Sequence, residues 1–225
     1  MRLITLFFLS SLTLFANFFP QSTQTTIKTL SSNTLSLETP FSQNGMSGIV
    51  IHNYGNNIQA ITAKLVQQTA SKALLIESLI APHKRLPTIN TSVKIGDKVI
   101  GGYLYNTVLL LAPNAQTYAN ITTQYQKKWI HPDLFALYLG IEGEAIPTPK
   151  SLKSFAQKYQ IGLIYIVRKN DEILFDPISS KIVAKKASTS LEETQFPFYM
   201  RFKELDNSWF FKNKKGDYYE TMETI

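Results

Sequence analysis

The chain contains no cysteine. That excludes a disulfide framework, thiolate metal sites and any thiol nucleophile, and it leaves no attachment point for a lipoprotein anchor. Histidine is almost as scarce, with three residues, His52, His83 and His131. None has a second ligand at metal-binding spacing. His131 and Asp133 stand too close in sequence to share one helical face. There is no Gly-x-Ser-x-Gly elbow and no glycine loop of phosphate-binding spacing. Gly101-Gly102 interrupts a strand pattern, where a bulge or a barrel corner is the expected use. Glu142 and Glu144 lie close together in a loop with Gly140 and Gly143, where solvation is expected rather than acid–base chemistry. Charged residues are also few, 17% of the chain, but 44% is hydrophobic. A chain of 225 residues with that apolar content buries a core, as one domain or two small ones sharing an interface, and is neither disordered nor fibrous.

What charge there is leans basic, with 23 Lys+Arg against 16 Asp+Glu and a net charge of +7. The excess is dispersed over Lys84-Arg85, Lys127-Lys128, Lys185-Lys186, and Lys212 with Lys214-Lys215. A nucleic-acid binder concentrates such charge on one face. Dispersed basic residues suit a solvated surface, or attraction to anionic lipid heads, envelope polymers or an acidic partner.

Long hydrophobic runs are absent except at the start. Arg2 provides a positive charge, Leu3 to Phe15 is almost wholly apolar, and Ala16 is a small residue suited to the position before a cut, with Leu14 two residues earlier. The apolar stretch is short of the ~20 residues of a spanning helix. This pattern predicts a secretory signal peptide over residues 1–16, cleaved after Ala16, and an exported chain that meets the membrane only through that segment.

Beyond a polar, threonine-rich lead-in over residues 17–24, short strand-like runs recur with turn residues between them. Ile27–Leu30 and Leu35–Leu37 flank Ser31-Ser32-Asn33; Gly48–Asn53 and Ile58–Val66 flank Gly55-Asn56-Asn57; Ala73–Leu79, Val99–Leu104 and Val108–Leu111 follow. That spacing predicts a small antiparallel barrel or sandwich over residues 25–112. After Pro113 the period changes. Asn114 is placed to cap a helix carrying Tyr118, Ile121 and Tyr125. His131-Pro132-Asp133 opens a second, apolar nearly all round, with Gly140 as its expected end. Thr148-Pro149 opens a third, with Leu152, Phe155, Ala156 and Tyr159 on one face. Gly162–Arg168 reads as a strand covered on both faces, with strands at Ile173–Phe175 and Lys181–Ala184 and a further one at Phe196–Phe202. The prediction is α+β: a barrel-like subdomain, then an α+β subdomain over residues 113–205 with helices and a strand meander. An aromatic, charged tail covers residues 206–225, either a docked short helix or a mobile end.

Several stretches in this order carry a resemblance: Lys84-Arg85-Leu86-Pro87-Thr88, then Gly96-Asp97, then Leu110-Leu111-Ala112-Pro113-Asn114 with Tyr118, and Gly162-Leu163-Ile164-Tyr165-Ile166-Val167. From about Thr25 to Phe202 the chain resembles the N-terminal domain of the plasminogen-binding protein PgbA family of exported bacterial proteins. The resemblance implies a non-enzymatic binding protein, without cofactor, that meets plasminogen through its lysine-binding kringle modules. Those modules recognise an ammonium beside a carboxylate, best supplied by a C-terminal lysine. Family members carry a long Lys/Glu-rich tail after the domain, whereas this sequence stops at Ile225. The nearest mimic is Lys212 with Lys214-Lys215-Gly216-Asp217. The alternative reading is a periplasmic, envelope or appendage-assembly factor acting through barrel edges and the aromatic segment around Trp209–Phe211. Neither reading involves nucleic acid.

N-terminal sequencing of the exported protein should begin at Asn17-Phe18-Phe19. Recovery of the untrimmed chain dissolved in the cytosol would overturn the signal-peptide assignment.

Overall fold

A computed structural model describes residues 18–76, 91–189, 193–202 and 216–225. Its architecture is α+β, a closed antiparallel barrel beside a five-stranded mixed sheet. The barrel strands are β1 (Thr23–Ser31), β2 (Thr34–Leu37), β3 (Ser47–Gly55), β4 (Ile58–Thr69), β5 (Lys72–Ile76) and β6 (Lys98–Gly101). They close in the order β1-β2-β5-β4-β3-β6. The strand runs flanking Ser31-Ser32-Asn33 pair as a hairpin, and the Gly55-Asn56-Asn57 turn joins β3 and β4 in a second. The β3–β4 turn places Asn56 and Asn57 at φ of 49° and 62°, the left-handed pair that asparagine tolerates in tight hairpins. Closure between β6 and β1, from Thr23↔Gly101 to Thr26↔Lys98, leaves the barrel no free edge. The barrel edges invoked for an assembly factor are therefore absent.

Gly101 ends β6, and Gly102, at φ +65°, turns the chain out of the barrel. It enters β7 (Thr107–Leu111), which belongs to the second sheet. Helix α1 (Ala115–Gln124), β8 (Lys128–Ile130), α2 (Pro132–Glu142), α3 (Pro149–Tyr159), β9 (Leu163–Val167), β10 (Asp171–Asp176) and β11 (Lys181–Ala187) follow. Sheet order is β11-β10-β9-β7-β8; β7 runs parallel to both β8 and β9, while β9, β10 and β11 form an antiparallel meander. All five residues of β9 are buried, as a strand covered on both faces requires. Val108, Leu110, Leu163, Tyr165 and Leu174 face the barrel and α1, sharing one core with barrel residues such as Ile27, Val50, Leu65 and Val99. Leu109, Leu111, Ile164, Ile166 and Phe175 face the other way, against Phe135, Leu139, Leu152 and Phe155 of α2 and α3.

Four expectations need correction. Residues 18–24 are not a loose lead-in, because Phe19 is buried in the core and β1 begins at Thr23. Helix α2 does not stop at Gly140, which lies on its buried face, but at Gly143, whose left-handed φ of 72° supplies the cap. Nor is α2 apolar-and-buried all round, since Leu137 and Ile141 on its outer face are exposed. Phe196–Phe202 is not a strand. Pro197 has no N–H to give a ladder, so the segment makes single bonds, Gln195 N–H to Pro113 O and Tyr199 N–H to Ala112 O, and inserts Phe198 into the core. At the C-terminus, α4 (Tyr218–Glu223) docks with Tyr218, Tyr219, Thr221 and Met222 buried. The Tyr218 hydroxyl donates to Val167 O at 2.6 Å and lies 2.9 Å from Leu111 O, joining the ends of β9 and β7.

The tightest backbone approach is at Gly162, where an added Cβ would fall 2.3 Å from the Leu104 carbonyl. Backbone cannot yield as a flexible side chain does, so Gly162→Ala should cost about 3 kcal/mol in urea denaturation. Gly143→Ala meets nothing within 4 Å and bears only the left-handed strain, about 1 kcal/mol. Equal losses for the two variants would refute the close approach.

Candidate functional site

The barrel and the sheet meet around one buried carboxylate. Asp176, at the end of β10, is fully buried. Its Oδ2 accepts from Ser47 N–H at 2.9 Å and from the Tyr105 hydroxyl at 2.6 Å. Its Oδ1 accepts from Ile178 N–H at 2.8 Å and Ser179 N–H at 3.1 Å. A carboxylate has about four acceptor sites, and here each is filled. Ser47 opens β3 in the barrel and Tyr105 lies in the linker to β7, so the side chain ties three parts of the chain together. Burial and the Asp176 carboxylate push the Tyr105 phenol well above its ordinary pKa, holding it as a donor.

The positions that carry the family resemblance are spread over the barrel and the second sheet. Gly96, at φ +88°, and Asp97 shape the turn into β6. Asp97 Oδ2 accepts from Lys94 N–H, and Oδ1 lies 2.7 Å from His52 Nδ1, which fastens the turn to β3. Ala112 and Pro113 receive the bonds from Tyr199 and Gln195 noted above. Asn114 caps α1, accepting from Thr117 N–H at 2.9 Å, and donates to Glu193 O. Tyr118 packs against His131 and Tyr199. Gly162 admits the Leu104 backbone, and the buried Tyr165 donates to Glu172. Leu86, Pro87 and Thr88 lie outside the described residues.

An aromatic cluster that sequence reasoning did not assemble fills the space between α1, β8 and β9. Phe18, Phe19, Tyr125, Trp129 and Tyr165 meet with ring centroids 5.0–6.4 Å apart. The Lys186 ammonium lies 5.0 Å from the Phe18 ring and 2.9 Å from Glu172, and Lys127 sits 4.5 Å from the Phe19 ring. The only advance signal was the Phe18-Phe19 pair in an otherwise polar lead-in.

Several other titratable groups have structural partners. His131 caps α2, its Nδ1 accepting from Asp133 N–H, and burial lowers its pKa despite the neighbouring Asp133 carboxylate. Asp133 in turn receives Arg201 Nε at 2.7 Å. Glu142 is exposed, whereas Glu144 is drawn partly inward and its Oε2 has no partner among the described residues. No three His, Asp or Glu side chains converge as a metal site among the described residues. Asp217 is exposed at the N-cap of α4, accepting from Glu220 N–H at 2.9 Å. Lys212, Lys214 and Lys215 lie outside the described residues.

Two clefts open between the barrel and α3. One, about 160 Å³, is walled by Ile49, Ile61, Leu104 and Ile161 and carries Lys64, Gln157 and Gln160. The other, about 620 Å³, carries Lys153 and Lys181, and Ile178 lines both. Burial, and then the nearby Lys153, lower the pKa of half-buried Lys64.

A closed barrel sharing its core with a mixed sheet, and flanked by lysine-bearing clefts, defines a two-sheet α+β domain. The chain belongs to the plasminogen-binding protein pgbA N-terminal family, whose model matches residues 22–223. Among its relatives, the plasminogen-binding protein PgbA of Helicobacter pylori strain J99 is 29% identical over 140 residues, covering 60% of this chain and 30% of the relative. The protein of the same name from strain 26695 is 28% identical over 127 residues, covering 55% of this chain and 27% of the relative. The chain thus spans about a third or less of the relatives it matches. No solved structure matches it.

Asp176→Asn would set an amide NH2 against two N–H or O–H donors at the joint. A loss of about 3 kcal/mol is expected in chemical denaturation, against about 1–2 kcal/mol for Tyr105→Phe, with the double variant less than additive. Additive losses would show that the two groups do not act together.

Proposed function

We propose that this chain is an exported, non-enzymatic binding protein whose partner is plasminogen. The observation that carries the reading is the family match over residues 22–223, together with two relatives that bear the plasminogen-binding name. The contact proposed is Lys212, Lys214 and Lys215 with Asp217, an ammonium-plus-carboxylate arrangement of the kind a kringle module recognises. Two observations support it. The basic residues lie between two anchored points, Met200, buried in the core, and the docked helix α4. The Asp217 carboxylate is held at the helix start while remaining exposed. The place of action is the periplasm or the cell surface. Among the described residues no helix is long and apolar enough to cross a membrane.

Purified mature protein on a solid support should retain plasminogen, and a lysine analogue should release it. Replacing Lys212, Lys214 and Lys215 together with Ala should lower retention about tenfold, equivalent to about 1.4 kcal/mol. Retention that no lysine analogue competes, or no retention, removes the plasminogen reading. Crosslinking in intact cells that recovers a defined envelope complex would favour the assembly-factor alternative instead.

A further inference from the structure

We propose that the two clefts between β4 and α3 form one groove that docks an extended, acidic peptide segment of a protein partner. Among the described residues the charge is of one sign: Lys64, Lys153 and Lys181 line the groove, and no described Asp or Glu lines either cleft. Lys153 and Lys181 form no ion pair among the described residues, whereas Lys28, Lys185 and Lys186 each face a carboxylate. Lys64 is half-buried and repelled by Lys153. A carboxylate bound beside Lys153 offsets its repulsion of Lys64.

The shape selects a segment over a compact molecule. The smaller cleft, about 160 Å³, holds a single side chain, since a cavity of about 150 Å³ accommodates one benzene. The larger, about 620 Å³, continues past Ile178. An occupant that fills both must be long and must present separate groups to each. The lining also selects peptide over an acyl chain. Gln157 in one cleft and Gln68 in the other offer amide donors and acceptors that match a backbone, while Gln160 already donates to Gln157 O and Asn44 accepts from Gln67. A hydrocarbon chain would desolvate those amides without giving them partners, at a cost of about 1–3 kcal/mol each. Apolar Ile49, Ile61 and Ile178 take the side chains between the acidic ones.

This groove reads carboxylates on the partner, whereas the plasminogen contact presents lysines of this chain, so the two readings stand or fall separately. The probe is a fluorescein-labelled peptide alternating Glu with Leu and Ser, titrated with the purified chain by fluorescence anisotropy. Binding should weaken as salt is raised, and a peptide with Gln for every Glu should bind about tenfold or more weakly. Lys153→Glu with Lys181→Glu should weaken the acidic peptide about tenfold or more, at unchanged circular dichroism, while the remote pair Lys28→Glu with Lys169→Glu changes it less than about twofold. A photo-crosslinking form of the peptide should label α3 or β4. The proposal is overturned if the acidic peptide does not bind, if the Gln peptide binds equally, or if both double variants weaken it alike. It is also overturned if phosphatidylglycerol vesicles bind through Lys153 and Lys181 and the peptide does not displace them.

Discussion

The Asp176 carboxylate is the constraint on which the two halves of this molecule depend. Burying a charge is costly unless its hydrogen-bonding capacity is filled, and four donors from three separated stretches fill it here. Each donor is useful only if the others are already in place. The carboxylate therefore fixes where β3 begins, how the Gly102–Asn106 linker runs and how the turn after β10 closes. Apolar burial supplies most of the stabilisation across the same boundary, but it is tolerant of small slips. The saturated carboxylate is not tolerant, and so it sets the register between barrel and sheet.

A second constraint works from the chain's beginning. Phe18 and Phe19 lie just past the expected signal-peptide cut, and they complete a ring cluster built from α1, β8 and β9. Lys186 and Glu172 form an ion pair against those rings, with Tyr165 donating to the same carboxylate. The first described residues are thereby tied to the central strand of the second sheet. At the other end, Tyr218 ties α4 to the carboxyl ends of β7 and β9. Both termini of the folded part are held by aromatic side chains reaching the same few strands.

Those anchors leave two kinds of surface for partners. One is the start of α4, where the exposed Asp217 carboxylate is held at the helix N-cap and the plasminogen contact is proposed. The other is the groove at the barrel–α3 boundary, where lysines stand over apolar walls. The two proposed contacts call on opposite chemistries, ammonium recognition by the partner in the first and carboxylate recognition by this chain in the second.

Much of the local structure was legible in the residues themselves. Asn-Asn turns, strand alternation, the Asn114 and Thr148 caps and the all-apolar run before Arg168 depend on neighbours a few positions away, and local rules reach that far. The misreadings came where distant contacts decided. Gly140 and Gly143 look equivalent as helix ends, and only packing buried one and left the other to cap. Phe196–Phe202 has strand composition, but Pro197 and the pull of Phe198 into the core prevailed. Phe18 and Phe19 looked like part of a loose leader until their partners, about a hundred residues or more away, were in place. The same holds for function. The sequence by itself determined the α+β character, the absence of thiol chemistry and the family. Only packing sends β7 out of the barrel into the second sheet, makes Asp176 its pin, and puts Lys64 in one cleft and Lys153 and Lys181 in its neighbour, because such placements depend on how strands far apart in sequence are brought side by side.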